Sequence, residues 1–265
     1  MTALLFEKDG HVATLTINRP EARNVLGEEG DGALFAEATA RINADRDIRC
    51  AVLTGAGPAF SAGGNLKAMR EKTGIFAGTP DDIRKSYKRE IHGLVRALWG
   101  LEVPLIAAVN GAAIGLGNDV ACLADIRMAA DTAVFAASFL KIGLVPGDGG
   151  AWLLTRVVGQ ARAAELLFSG ETVDAATALR WGLVSRLVPA EMLLEEVRGL
   201  AVRIARQPPG VLRMTKKLLR EALAADFETV MDMSAAFQAV AHGSEDHAEA
   251  LAAHFEKRLP QFQDR

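Results

Sequence analysis

The stretch that most constrains the fold is Val103–Asp131, VPLIAAVNGAAIGLGNDVACLADIRMAAD. It begins with an apolar run whose length and composition are typical of a buried parallel strand. The run stops at Asn110-Gly111, passes through Gly115 and Gly117, and continues in small residues with the pattern of a helix. A strand that leads through glycines into a helix presents N–H groups at the positive end of the helix macrodipole, where an anion is favoured. Asp119 follows in the first helical turn, so the stretch predicts an anion-stabilising backbone beside a carboxylate.

The residues of this stretch exclude three other interpretations. A dinucleotide-binding fingerprint needs a third glycine where Val120 stands, and no Gly-Lys-Ser/Thr ending of a phosphate-binding loop occurs in the chain. A membrane span would not carry Asn118 and Asp119 in its middle. Two interpretations stay open at this point: a catalytic carboxylate, or a close-packed helix that Asp119 merely caps.

A second glycine-rich loop favours the catalytic interpretation. Ala51–Thr54 has the pattern of a short strand, and the sequence then runs GAGPAFSAGGNLK from Gly55 to Lys67, with a helix expected to begin near Asn65. Two strand-end loops with free N–H groups can converge on one oxygen atom. Paired backbone donors aimed at a developing negative charge form an oxyanion hole.

The composition narrows the class of protein. The formal charge of −3 over 265 residues argues against nucleic acid as the main partner. Cys50 and Cys122 lie in apolar segments and are expected to be buried free thiols in a reducing compartment. Glu7 interrupts the segment where a signal peptide would be continuously apolar, so a cytoplasmic protein with no membrane segment is expected. The histidines form no metal motif, and Ser61 lacks the first glycine of a nucleophile elbow, so neither a metal site nor an acylated serine is expected.

The rest of the chain alternates strand and helix patterns. Leu4–Glu7 and His11–Asn18 are predicted to pair as strands around an Asp-Gly turn. Thr79 followed by proline and two acids predicts a helix start, and that helix is expected to run to about Trp99. Pro146–Gly150 is a third glycine-rich turn that opens a helix. From Glu191 the pattern is helical, with breaks at a Pro-Pro and a Gly-Ser pair. An α/β domain is therefore expected.

Several ordered motifs resemble the crotonase, or enoyl-CoA hydratase/isomerase, superfamily. They are VATLTINRPEARNVL, FSAGGNLKAM, AAVNGAAIGLGNDVACLADIRMA, LVPGDGGAWLLTRVVG and SEDHAEALAAHFEKRLPQF, which together cover nearly the whole chain. The resemblance implies an α/β fold, a crotonase-like spiral of repeated ββα/βαβ turns, with a core at 1–200 and a helical C-terminal region at 201–265. It implies a homotrimer or homohexamer that acts on acyl-CoA, with no cofactor beyond the coenzyme A of the substrate.

The resemblance also assigns roles to single residues. It implies that the N–H groups of Ala62 and Leu116 hold the thioester oxygen of an enolate and that Asp119 is the acid/base carboxylate. Leu116 stands where glycine is usual, so its side chain is expected to point away from the thioester. The remaining expected substrate contacts are Ala22, Arg23, Asn24, Gly63, Gly64, Asn65, Leu66, Ala112, Gly115, Phe139 and Val145.

Phe139 departs from the pattern of the hydratases, which use a second carboxylate at that position. A phenyl ring neither accepts a proton nor orients water. The hypothesis favoured here is that Asp148, in the third glycine-rich turn, replaces it, so that two carboxyls with separated pKa values act as acid and base. Chemistry that needs one carboxylate, such as a double-bond shift, stays open, as do thioester hydrolysis, a decarboxylation-type reaction and a non-catalytic acyl-CoA-binding role.

Overall fold

In the computed structural model, which describes residues 2–264, the central apolar run forms a strand, β5 (Leu105–Val109), with all five residues buried. Burial on both faces explains why the run is continuously apolar, since a parallel strand is covered by other layers on each side. The other strands are β1 (Leu4–Asp9), β2 (Val12–Ile17), β3 (Cys50–Gly55), β4 (Ala59–Ser61), β6 (Ala112–Ile114), β7 (Ile126–Ala130), β8 (Val134–Ala136), β9 (Thr172–Asp174) and β10 (Arg186–Val188).

The strands form two sheets. The larger has the order β1-β2-β3-β5-β7-β10, and the smaller has the order β4-β6-β8-β9. Pairing is parallel except for the predicted β1–β2 hairpin and the β8–β9 pair. The short strands β4, β6 and β9 are not predicted by the sequence patterns, because three residues are too few to show a period.

The helices cover the sheets and form the C-terminal part of the chain. They are α1 (Asp31–Ala44), α2 (Leu66–Glu71), α3 (Pro80–Arg89), α4 (Ile91–Trp99), α5 (Leu116–Cys122), α6 (Gly150–Val158), α7 (Gln160–Ser169), α8 (Ala175–Trp181), α9 (Leu193–Ala205), α10 (Pro209–Glu221), α11 (Phe227–His242) and α12 (Glu245–Glu256). Short 3₁₀ turns occupy Pro20–Ala22, Gly74–Phe76, Ser138–Ile142 and Ala190–Met192.

One supersecondary unit repeats along the chain. Each of the strands β3, β5 and β7 in the large sheet is followed by a strand of the small sheet, β4, β6 or β8, and then by a helix, α2, α5 or α6. The chain thus winds through both sheets three times, which confirms the predicted α/β spiral of ββα turns. Because β4 pairs with β6 and β6 with β8, the turns that follow them are brought to one side of the small sheet.

The predicted helix from Thr79 to Trp99 is in fact two helices, and the prediction of one is wrong. Its start is as predicted, with the Thr79 and Asp82 side chains forming a capping box. The break falls at Glu90, whose buried carboxylate accepts hydrogen bonds from the N–H groups of Gly30 (3.0 Å) and Gly32 (3.1 Å) beside α1. This contact with α1 bends the chain at a position where the sequence pattern is still helical.

The C-terminal helices are followed by an anchored tail. Asp246, at the start of α12, is buried and accepts hydrogen bonds from the N–H groups of Gln263 (2.8 Å) and Asp264 (3.0 Å). Arg49, just before β3, donates to the carbonyl of Phe262 at 2.9 Å. The predicted boundary between core and helical region, at residue 200, falls within α9. No helix among residues 2–264 has both the length and the apolarity needed to cross a membrane.

Candidate active site

The first turn of the site links β4 to α2. Asn65 caps α2, with its side-chain oxygen accepting the N–H of Ala68 at 3.0 Å. Ser61 is fully buried, and its hydroxyl accepts the N–H of Gly63 at 3.1 Å. Gly63 has a φ of +84°, a conformation that favours glycine. The Ser61 hydroxyl therefore stabilises the turn, in line with the expectation that Ser61 is a hydroxyl of the loop and not an acylated nucleophile.

The second turn links β6 to α5 and lies directly against the first. A Cβ atom on Gly63 would lie 3.2 Å from the nitrogen of Leu116 and closer still to the carbonyl oxygen of Ile114. A Cβ on Gly117 would come within 2.8 Å of the Cβ of Ser61. The two glycines thus allow the two backbones to touch. The sequence-based expectation that both strand-end loops converge is met by this contact.

The predicted donor in the first turn is wrong by two residues. The N–H of Ala62 donates to the carbonyl oxygen of Arg23 at 2.8 Å, so it is not free to bind a ligand. Within residues 2–264, the N–H groups of Gly64 and Leu116 have no hydrogen-bond acceptor. Gly64 therefore replaces Ala62 as the candidate donor of the first turn.

Leu116 directs its side chain into the core. Only 1% of the residue is exposed, and its Cδ2 atom lies 3.5 Å from the position that a Cβ on Gly27 would take. The side chain is part of the main hydrophobic cluster. The leucine side chain at this helix start therefore does not occupy the space next to the turn.

Asp119 is fully buried in the first turn of α5. The side-chain amide of Asn118 approaches one of its oxygens at 3.4 Å, and Oδ2 has no hydrogen-bond partner. Gly150, the first residue of α6, packs so closely that a Cβ there would lie 2.6 Å from Oδ1. Burial, and after it the charge of Asp148, raises the pKa of Asp119 well above its ordinary value.

Asp148 lies in the turn before α6 and is 3% exposed. It accepts a hydrogen bond from the hydroxyl of Tyr87. Burial raises the pKa of Asp148 to about 6, and the Tyr87 hydrogen bond and the field of His92 oppose that rise. The charge of Asp148 in turn raises the pKa values of both Asp119 and Tyr87. The structure therefore brings the two predicted carboxyls into electrostatic contact.

Tyr87 and His92 are site residues that the sequence analysis misses. Tyr87 lies on α3 and His92 on α4, with their rings edge to face at 5.4 Å between centroids. The Nε2 atom of His92 is 2.9 Å from the carbonyl oxygen of Gly147. One available signal is that Tyr87 is the single tyrosine of the chain.

Phe139 lies where the resemblance places the second carboxylate of the hydratases. It is 7% exposed, in the 3₁₀ turn before the Asp148 loop. Its ring would be 3.7 Å from a Cβ on Gly115, which begins the second turn with a φ of +54°. The ring thus packs beside the start of α5, and this side of the site is apolar.

The other predicted substrate contacts divide into exposed and buried residues. Asn24 is fully buried, and its amide donates to the carbonyls of Ala56 (2.8 Å) and Ala59 (2.7 Å). Gly63 is also buried, and both of its backbone polar groups are bound within the protein. For Asn24 and Gly63 the prediction of substrate contact is wrong, because hydrogen bonds of the turn already occupy their polar groups. The other predicted contact residues are at least partly exposed, so a ligand can reach them. They are Ala22, Arg23, Gly64, Asn65, Leu66, Ala112, Gly115 and Val145.

The sequence and the fold of this chain are similar to those of known proteins. The chain matches the profile of the family described as enoyl-CoA hydratase/isomerase over residues 7–265. It is 38% identical to the 1,2-epoxyphenylacetyl-CoA isomerase of Escherichia coli (strain K12), covering 99% of this chain and 98% of that protein. It is 37% identical to the probable enoyl-CoA hydratase echA8 of Mycobacterium tuberculosis, with the same coverage. The crystal structure of an enoyl-CoA hydratase from Bacillus anthracis matches with a TM-score of 0.93 and 28% identity over the full length of both chains.

Proposed function

This chain belongs to the enoyl-CoA hydratase/isomerase family, and from that premise we propose that it moves the double bond of an enoyl-CoA thioester through an enolate intermediate. It is an enzyme of the acyl-CoA-utilising type that its relatives represent. The observation that carries the finer proposal is the pair of carboxyls beside the two touching turns: Asp119, buried with an unpaired oxygen, and Asp148, held by Tyr87.

The two turns supply the electrostatic part of the mechanism. The N–H groups of Gly64 and Leu116 hold the thioester oxygen while it becomes an oxyanion. This assignment is supported by the absence of an acceptor for either N–H group within residues 2–264. Losing one such donor typically costs about 3 kcal/mol of transition-state stabilisation. Because the turns pack backbone against backbone, the donors need no rearrangement when charge develops.

A double-bond shift needs only one carboxylate, but two lie at this site, and the proposed mechanism divides the two proton transfers between them. With its pKa raised to about 6, Asp148 is mostly ionised at neutral pH and acts as the base that removes a proton from C2 of a 3-enoyl thioester. Burial, and after it the charge of Asp148, raises the pKa of Asp119 well above its ordinary value, and Asp119 is assigned as the acid that delivers a proton to C4. The substrate loses one proton and gains one. Before the next cycle, Asp148 releases its proton to solvent and Asp119 takes one up from solvent.

Phe139 favours isomerisation over hydration. Hydration needs a group that holds water, and at this position the site presents a buried ring instead. The 1,2-epoxyphenylacetyl-CoA isomerase is a relative that supports this choice. Hydration of a 2-enoyl thioester is the second candidate, favoured by the relatives named as hydratases, and it would require Asp148 to hold the water.

The test is a panel of saturated, 2-enoyl and 3-enoyl CoA thioesters in deuterated water. We expect the 3-enoyl thioesters to be converted to 2-enoyl products with uptake of deuterium from the solvent. Asp119→Asn is expected to lower kcat by about 100-fold or more, because a positioned acid or base contributes about 10²–10⁴. Asp131→Asn, which alters an exposed aspartate of the same charge, is the matched control and should leave kcat unchanged.

Each alternative gives a different result in this panel. Consumption of 2-enoyl thioesters with formation of a hydroxyacyl product would assign hydration. Release of free coenzyme A would assign hydrolysis, and loss of carbon dioxide from a carboxylated acyl group would assign decarboxylation. Equal rates in the wild type and Asp119→Asn, with no deuterium uptake, would favour an acyl-CoA-binding protein and refute the proposed chemistry.

The proposed setting is a cytoplasmic trimer or hexamer that needs no cofactor beyond the coenzyme A of its substrate. Arg23 is exposed next to the first turn, and we assign it to a phosphate of coenzyme A. The assembly is supported by apolar side chains exposed at the end of the helical region, where Phe255 and Leu259 are 79% and 78% exposed. The molar mass in solution at several protein concentrations tests the assembly.

A further inference from the structure

The break between α3 and α4 controls which side chains reach the Asp148 turn. In a continuous α-helix, residues five positions apart point about 140° away from one another. Tyr87 and His92 are five positions apart, yet Tyr87 bonds Asp148 and His92 contacts the carbonyl of the preceding residue, Gly147. The break at Glu90 lies between them and lets both side chains face the same turn.

The break is held by buried contacts. Glu90 is 2% exposed, and one of its oxygens accepts the N–H groups of Gly30 and Gly32. At the same place α4 meets α1 so closely that a Cβ on Gly93 would lie 3.1 Å from the Cα of Gly32. The positions of Tyr87 and His92 therefore depend on the packing of α1 against α4, not on the local helical pattern.

We propose that Tyr87 is a positioning residue that orients the Asp148 carboxylate for proton transfer, with His92 fixing the backbone of the same turn. This inference rests on the proposed function for its kinetic consequences. The hydroxyl donates to one oxygen of Asp148, which leaves the other oxygen for the substrate. Gly147 packs on the Tyr87 ring, with 3.5 Å between its would-be Cβ and a ring carbon, so ring and hydroxyl hold adjacent residues of the turn.

Three titratable groups face Asp148 from the elements packed around it. They are Tyr87 of α3, His92 of α4 and Asp119 of α5. The first two favour the ionised form of Asp148, whereas the charge of Asp148 disfavours ionisation of Asp119. Tyr87 thus helps to keep the base ionised beside a protonated acid.

The first experiment needs no substrate. Because the chain has one tyrosine, the tyrosinate absorbance in an alkaline titration reports Tyr87 alone. Burial and the Asp148 charge raise the pKa of Tyr87, so Asp148→Asn is expected to move the appearance of tyrosinate to lower pH. Asp131→Asn, at an exposed site, is the control and should leave the titration unchanged. An identical titration in the wild type and Asp148→Asn would overturn the pairing.

The second experiment is a double-mutant cycle on turnover. Tyr87→Phe keeps the ring and removes the hydroxyl, and we expect kcat to fall by about 10- to 100-fold with KM within about twofold, as for a misplaced catalytic group. The limb of the kcat profile that reports Asp148 should move up by about 1 pH unit, because a hydrogen bond to the charged form is lost. In the Asp148→Asn background, Tyr87→Phe should cause no further loss.

The two experiments separate failure of this inference from failure of the proposed function. Additive losses in the cycle, or a kcat profile that does not move in Tyr87→Phe, would overturn the positioning role. If the wild type turned over none of the thioesters, the proposed function would fail. The tyrosinate titration would still decide whether Tyr87 and Asp148 are paired. A thermal unfolding midpoint of Tyr87→Phe near that of the wild type would show that its kinetic effect is not a folding defect.

Discussion

Replacing Asp148 by asparagine is expected to make the protein more stable at neutral pH while removing its base. The pKa of Asp148 rises from the ordinary 3.8 to about 6 on folding, mainly through burial. A carboxyl with a raised folded-state pKa binds its proton more tightly in the native state than in the unfolded state. Stability from this group is therefore full below about pH 4, falls as the pH rises from about 4 to about 6, and is constant above that.

The size of the effect follows from the same two values. At 1.36 kcal/mol for each pKa unit, the wild type loses about 3 kcal/mol across that window. The asparagine side chain of the variant carries no charge at any pH, so the difference in the free energy of unfolding between variant and wild type should be near zero at pH 4. It should rise to about 3 kcal/mol in favour of the variant at pH 7.5.

The assay is urea unfolding of both proteins at a series of pH values and at one protein concentration, so that any subunit association contributes equally. Asp131→Asn serves as the control, since an exposed aspartate should give a difference that does not change with pH. A difference between Asp148→Asn and wild type that stays the same from pH 4 to pH 7.5 would contradict the reasoning. A variant that becomes less stable than the wild type as the pH rises would contradict it as well.

Three further predictions concern the turns. Gly150→Ala should lower kcat strongly, because its Cβ would press on the carboxyl group of Asp119. The control Gly199→Ala, on α9, where a Cβ would meet only the end of the Arg203 side chain at 3.6 Å, should keep kcat and raise stability by up to about 1 kcal/mol; kinetics and urea unfolding of both variants test this. Ser61→Ala should lower the free energy of unfolding in urea by about 1–3 kcal/mol, because the buried N–H of Gly63 loses its acceptor, while turnover is retained. Loss of turnover in a folded variant would contradict the structural role of this hydroxyl. Asn24→Ala should lower stability and leave KM for the thioester nearly unchanged, whereas Arg23→Gln should raise KM without loss of stability. A raised KM in Asn24→Ala with unchanged stability would restore Asn24 as a ligand contact.

Local turn chemistry explains what the sequence analysis predicts well. Strands that end in glycines, and caps such as Thr79 and Asn65, are determined by neighbouring residues. The two glycine-rich turns and the position of Asp119 in the first turn of α5 follow from such local patterns. The inward side chain of Leu116 follows instead from the family resemblance, because glycine is usual at that position. The turns and caps are predicted correctly because the residues that determine each of them lie within a few positions of one another.

The errors concern features that distant parts of the chain decide. The choice between Ala62 and Gly64 depends on the carbonyl of Arg23, which occupies one N–H and leaves the other free. The break at Glu90 depends on amides near α1, and the role of Tyr87 depends on that break. No periodicity in the sequence reports such contacts, because helix α3 and the segment after it have the pattern of one uninterrupted helix.

The anchored carboxyl-terminal tail has a practical consequence for producing this protein. Gln263 and Asp264 donate their N–H groups to Asp246, and the side chain of Asp264 pairs with Arg46. Deleting the segment from Gln263 onward would leave the buried Asp246 carboxylate without these two N–H donors and would remove the carboxylate that pairs with Arg46. Shortened versions of the protein made for crystallisation or kinetics should therefore keep Gln263 and Asp264.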